Sequence, residues 1–110
     1  MYQYKTVRGL LRNRARWAKY TLARDANGAE IGPESSKAVS FCLLGAAHRI
    51  CPNSYAQVAE KIRKAILACY PAWSKQHGYS RQEDVLVSNF NDAGHRRFSQ
   101  IQRVLNHANV

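Results

Sequence analysis

The chain reads as a mainly α protein: a compact domain of four to five helices around one buried central helix, with a short β-hairpin admissible near residues 21–31. Three observations lead there. From Ala38 to Ala47 the only polar side chain is Ser40, and a helix that is apolar nearly all round has to be covered on several sides. Two further stretches, 55–69 and 96–108, carry apolar residues every three or four positions. Pro52, Pro71, Asn27-Gly28 and Gly94 supply the breaks between them. At 110 residues the chain is long enough to bury one core, so 1–110 is taken as a single domain, with 1–9 expected as a flexible lead.

Val7 to Tyr20 has the pattern of an amphipathic helix. Val7, Leu10, Leu11, Ala15, Trp17, Ala18 and Leu22 share one broad face, and Lys5, Arg8, Arg12, Arg16 and Lys19 form a stripe beside it. There is no acidic residue between Met1 and Arg24. Like charges at these spacings repel by a few tenths of a kcal/mol per pair, roughly. A chain that keeps five in line without a compensating Glu points them at phosphates. The bland alternative is a solvated face whose charges pair with acids elsewhere. Arg14 falls on the apolar face, where it must snorkel or meet a carboxylate such as Asp25 or Asp92.

The segment Arg24-Asp-Ala-Asn-Gly-Ala-Glu-Ile31 is the clearest turn, with Thr21-Leu-Ala and Ala29-Glu-Ile as possible flanking strands. Its Asp-x-Asn-Gly spacing opens like a calcium loop, but the remaining ligands and the closing Glu do not follow. Pro33-Glu-Ser-Ser then opens the central helix, capped by Ser35 or Ser36 and ended by Pro52; Gly45, Ala46 and Ala47 let a neighbouring helix approach. Asn53-Ser54 caps the next helix, whose inner stripe is Tyr55, Val58, Ala59, Ile62, Ala65, Ile66 and Cys69. Pro71 and 73–80 read as a loop. Ser80-Arg-Gln-Glu83 has capping-box spacing before a short helix through Val85, Leu86 and Phe90. Asn91-Asp-Ala-Gly94 is a second turn, and a last helix from about Arg96 turns Phe98, Ile101, Val104, Leu105 and Ala108 inward.

Seventeen Lys and Arg against seven Asp and Glu give a net charge of +10, which favours polyanionic partners: DNA, RNA or an acidic protein surface. Cys42, Cys51 and Cys69 are odd in number and form no CxxC pair, which suits a reducing cytoplasm without disulfides. The N-terminus has no signal-peptide core, and no apolar run reaches the roughly 20 residues of a membrane span. A cytoplasmic protein with no membrane partner is the expectation. There is no P-loop, GxGxxG, GxSxG or HExxH, so the sequence argues against an enzyme and implies no cofactor. His48, Cys51, Cys69 and His77 are spaced too loosely for a zinc site, so no metal is expected, and Cys42 sits too deep for a Cys–His nucleophile. Asp25, Asn27, Gly28, Asn91 and Asp92 read as structural polar turns that bind backbone amides, the alternative being a polar ligand pocket.

Trp17, then Leu22-Ala-Arg-Asp-Ala-Asn-Gly28, then Ala38-Val-Ser-Phe-Cys-Leu-Leu-Gly-Ala46, then Phe90-Asn-Asp92 and a closing helix follow a recognisable order. This order resembles a family of small uncharacterised bacterial and phage proteins. Its members share an aromatic, an Ala-x-Asp-x-x-Gly turn, an aromatic-Cys-x-x-Gly-Ala helix and a Trp-Asn-Asp turn. The resemblance covers about residues 17 to 108. It departs where Phe90 stands in place of Trp, and the basic N-terminal stretch lies outside the pattern. It implies a bacterial or phage cytoplasmic protein and a shared fold, and carries no activity.

The functional expectation is nucleic-acid binding without sequence preference. Phosphate contacts come from Lys5, Arg8, Arg12, Arg16 and Lys19, joined by Arg96, Arg97 and Arg103; no helix-turn-helix signature places base-reading residues. The alternative is a protein–protein module, for instance a phage-encoded factor docking on an acidic surface of a bacterial host complex, with Trp17, Trp73 or Tyr79 as anchors.

Overall fold

The computed structural model describes residues 4–78 and 83–110, the side chains of 77–78 and 83–84 excepted. Tyr79, His77 and the Ser80–Glu83 capping box lie outside the described residues and side chains. Among the described residues the helices are α1 (Val7–Leu10), α2 (Leu43–Ile50), α3 (Tyr55–Cys69), α4 (Pro71–Trp73), α5 (Glu83–Asp92) and α6 (Phe98–Ala108). A small antiparallel sheet pairs β1 (Ala23–Arg24) with β2 (Ser40–Phe41), Ala23 opposite Phe41 and Arg24 opposite Ser40. The fold is therefore mainly α with a short antiparallel pair. No described helix is long and apolar enough to cross a membrane.

The amphipathic stripes of α3 and α6 lie as their periodicity requires. Val58, Ala59, Ile62, Ala65 and Ile66 of α3 are buried, and so are Ile101, Val104 and Leu105 of α6. Helix α3 packs on α5 and α6, while α2 lies against α1, α3 and α5. Leu43 through Ala47 are all buried, which makes α2 the enclosed helix that the apolar run implied.

Three boundaries differ from expectation. The first is the N-terminal helix, which spans Val7–Leu10 instead of running to Tyr20. Thr6 Oγ1 accepts from Gly9 N at its start, and Asn13 Oδ1 accepts from Ala15 N to begin a separate 3₁₀ turn over Arg14–Arg16. Such a side-chain bond competes with helical pairing, in a stretch whose like charges already weaken a helix. Arg14 consequently leaves the apolar face and stands exposed, with no ion pair to a carboxylate among the described residues. Val7 is fully buried, and its N–H donates to the Val110 carbonyl at 2.9 Å.

The second is the central helix, which begins at Leu43 and not near Ser36. Ser40–Phe41 is a strand, with Val39 N bonded to the Arg24 carbonyl and Cys42 N to the Leu22 carbonyl. A short apolar run does not distinguish a buried strand from a buried helix, and here both occur in succession. Cys42 is the cap in place of Ser35 or Ser36, its Sγ accepting from Gly45 N at 3.2 Å. What Gly45 admits is backbone and not a helix: a Cβ there would collide with the Leu22 carbonyl. Across the Asp25 turn the expected hairpin is closed by a bridge between Arg24 and Glu30, while β1 takes its strand partner from Ser40–Phe41.

The third lies between α3 and α6. Residues expected as a loop form α4 and a π-helical turn, Ser74–Gly78, with Ser74 Oγ donating to the Tyr70 carbonyl. Asn91 and Asp92 complete α5 instead of forming a turn, which begins at Ala93. Ser54 precedes α3 but makes no side-chain cap bond; a 3₁₀ turn over Pro52–Ser54 leads in. Gln100 accepts from Arg97 N at 2.8 Å to open α6.

Candidate anion-binding cleft

The polar residues of the quoted motifs are consumed by the fold. Asn91 is 1% exposed and uses its whole amide. Its Oδ1 accepts from Trp17 Nε1 at 2.8 Å and from Leu43 N at 3.1 Å; its Nδ2 donates to the Ala18 carbonyl and to Asp92 Oδ1, both at 2.9 Å. An amide offers two acceptor sites and two donors, so all four are satisfied. Asp92 Oδ1 also accepts from Tyr20 N at 2.9 Å. One side-chain pair at the end of α5 thus ties down residues 17–20 and the start of α2. Asp25 Oδ1 accepts from Asn27 N and Ala29 N, and Gly28 takes φ +83°. Asp25, Asn91 and Asp92 thus hold backbone amides, while the Asn27 side chain stands exposed.

The predicted cations do not form one stripe, because the helix that would align them ends at Leu10. Arg8 donates to Asn109 Oδ1 at 2.7 Å, across to the end of α6. Lys19 Nζ donates to the Ala93 carbonyl at 2.8 Å, above the Trp17 ring. Arg97 is exposed just before α6 and Arg103 on it, over the Tyr70 ring, and Arg12 is exposed after α1. Arg96 faces inward and cannot reach an outside phosphate. It is 6% exposed, its Nε donates to the Phe90 carbonyl at 2.8 Å, and its guanidinium lies 3.6 Å from the Phe90 ring centre, with Trp73 and Tyr70 beside it. Burial pulls its pKa down, and one terminal nitrogen is buried without a partner. Trp17 and Trp73, the suggested anchors, are half-buried; Trp17 packs on Phe98 and Trp73 meets Phe90 edge-on.

Two of the predicted cations, Lys5 and Arg16, meet Arg49 along a cleft of about 810 Å³. Its walls come from residues 4–16, from the 36–41 segment and from the end of α2, and none of the lining residues is acidic. Arg16 Nε donates to the Leu10 carbonyl at 2.7 Å, which satisfies a carbonyl left open where α1 stops, and its guanidinium sits 4.8 Å from the Tyr4 ring centre. Arg49 donates to the Pro33 and Ser35 carbonyls and lies 5.8 Å from the Phe41 ring centre. Leu10, Ala38, Val39 and Ile50 supply an apolar lining, Val39 being 45% exposed. Arg49 was missed from sequence because it closes a helix that reads as pure core; its place in the last turn was the available signal.

Electrostatics elsewhere are sparse. Among the described side chains the ion pair is Arg63 with Glu60, 2.6 Å on the surface of α3, where the guanidinium holds the Glu60 carboxyl below its usual range. No group of three or more described His, Cys, Asp or Glu is placed to hold a metal ion. Burial raises the Cys42 thiol, and Cys51 and Cys69 are half-buried and free.

A family model described as a family of unknown function (DUF6197) matches residues 3–109, so the chain belongs to that family. The match extends the resemblance, first seen over residues 17–108, back through the basic N-terminal stretch. No curated protein and no solved structure matches the chain.

Proposed function

We propose that this member of a family of unknown function is a nucleic-acid-binding protein that holds phosphates without reading sequence, and that the cleft of Lys5, Arg16 and Arg49 is where it does so. The observation that carries the reading is three cations on a cleft without a carboxylate, in a chain of net charge +10. Polyanions gain most from such a surface, through release of their condensed counterions. Exposed Arg12 and Arg14 lie on the same N-terminal segment and extend the positive field beyond the cleft. Nothing catalytic is required of these residues: they attract, orient and neutralise.

A gel mobility shift at low salt with single-stranded and duplex oligonucleotides of unrelated sequence tests this. Retardation of both sequences to a similar extent is expected; no retardation of either strand form rejects the reading. A second reading, an acidic protein segment in the same cleft, is favoured by the exposed apolar rim at Val39. Pull-down from nuclease-treated lysate separates the two: bound protein that survives nuclease supports the second, and loss of bound material supports the first.

A further inference from the structure

We infer that the cleft is a seat for a phosphate monoester carried on a nucleotide-sized group, so that the protein prefers a phosphorylated end to the interior of a strand. This deepens the nucleic-acid reading and rests on it. Two arginines line the cleft, and each is oriented before any ligand arrives. Arg16 is fixed by its Nε bond to the Leu10 carbonyl and by the Tyr4 ring, Arg49 by the Pro33 and Ser35 carbonyls and the Phe41 ring. These bonds engage Nε of Arg16 and one terminal nitrogen of Arg49. Both terminal nitrogens of Arg16 and the second of Arg49 have no partner among the described residues. A planar guanidinium held this way presents its remaining N–H groups in a fixed fork, the geometry that phosphate oxygens match.

Charge then selects the form of phosphate. Lys5 brings the cations on the lining to three, with no carboxylate among them. A terminal monoester carries roughly −1.5 to −2 at neutral pH and three free oxygens, whereas a bridging diester carries a single charge. Three cations on one cleft without a carboxylate therefore gain more from the monoester. The remaining lining is largely apolar and the volume falls within the range of small-ligand pockets, about 300–1,000 Å³. That fits the nucleotide bearing the phosphate better than a long run of backbone.

The test uses fluorescence anisotropy with one short single-stranded sequence made with a phosphate or a hydroxyl at its ends, and a free nucleoside monophosphate as competitor. The full-length protein should bind the phosphorylated strand at least about fivefold more tightly than the hydroxyl-ended one. Arg49→Lys keeps the charge and loses the fork, so the preference for the phosphorylated strand should fall to near unity. Arg16→Lys repeats the measurement independently should Arg49→Lys fold poorly. Efficient competition by the free monophosphate makes the free nucleotide the source of the group; competition by strands alone makes it the strand end. Equal affinity for both strands, or a preference that survives both Lys variants, overturns the inference and leaves the nucleic-acid reading standing. No binding to either strand overturns both.

Discussion

Two regions of this molecule handle polar groups in opposite ways. Around Asn91 every donor and acceptor of the amide is matched inside the protein, and the bonds tie two other segments of the chain, residues 17–18 and the start of α2, to the end of α5. Around the cleft, Arg16 and Arg49 spend part of their donors on backbone carbonyls and leave the rest open beside Lys5. The first arrangement is what a fold needs and the second is what a binder needs. The difference teaches where to look: the residues that make the family pattern conspicuous are occupied by architecture, and the open donors lie in a stretch with no striking motif.

The largest effect should come from breaking the clasp. Asn91→Ala leaves the Trp17 indole N–H, the Leu43 amide and the Ala18 carbonyl without their partner in a buried place. At about 1–3 kcal/mol for each unsatisfied group, a loss on the order of 4 kcal/mol is expected in urea unfolding, with the oligonucleotide affinity of the remaining folded protein unchanged. Gly45→Ala comes next. In an ordinary helix that change gains about 1 kcal/mol, but here the methyl meets the Leu22 carbonyl, so a loss of about 3 kcal/mol is expected in the same experiment.

These two predictions show what could be read in advance. Gly45 announced a close approach and Asn91-Asp92 announced local polar roles, because each residue type has few physical uses inside an apolar setting. The inner faces of α3 and α6 were legible for the same reason: a 3.6-residue period over 11 or more residues has few competitors. The N-terminal segment misled because its periodicity was real while its helix was not. Asn13 bonding Ala15 and Arg16 bonding the Leu10 carbonyl end the helix, and neither bond has a periodic signature. The cleft stayed hidden because its third cation, Arg49, comes from a helix far along the chain, brought near by the packing of α2 against α1.

Tyr20 gives a smaller effect of opposite sign. It sits at φ +70° with its amide held by Asp92, and its side chain is 66% exposed. A left-handed conformation costs a bulky residue about 1–2 kcal/mol, so Tyr20→Gly should stabilise the protein by about 1 kcal/mol in thermal unfolding. A loss instead would mean that the ring contributes packing.

Cys42 sharpens the same contrast chemically. The folded state raises its thiol pKa above the ordinary 9.0 chiefly through burial, so it binds the proton more tightly than the unfolded chain does. That contribution to stability is complete below 9.0 and declines as pH rises from there towards the folded value. In alkylation at neutral pH, Cys51 and Cys69 should react first, with Cys42 modified only on unfolding.

The most direct measurement compares salt dependence and melting temperature in wild type and in the Lys5→Gln, Arg16→Gln double variant. Wild-type binding should weaken linearly with log salt. The variant should show a slope shallower by roughly 0.7–0.9 for each phosphate contact removed, with a melting temperature within a few degrees of wild type. An unchanged slope, or a variant whose clearest change is a collapse in melting temperature, would contradict the division between a structural clasp and a binding cleft.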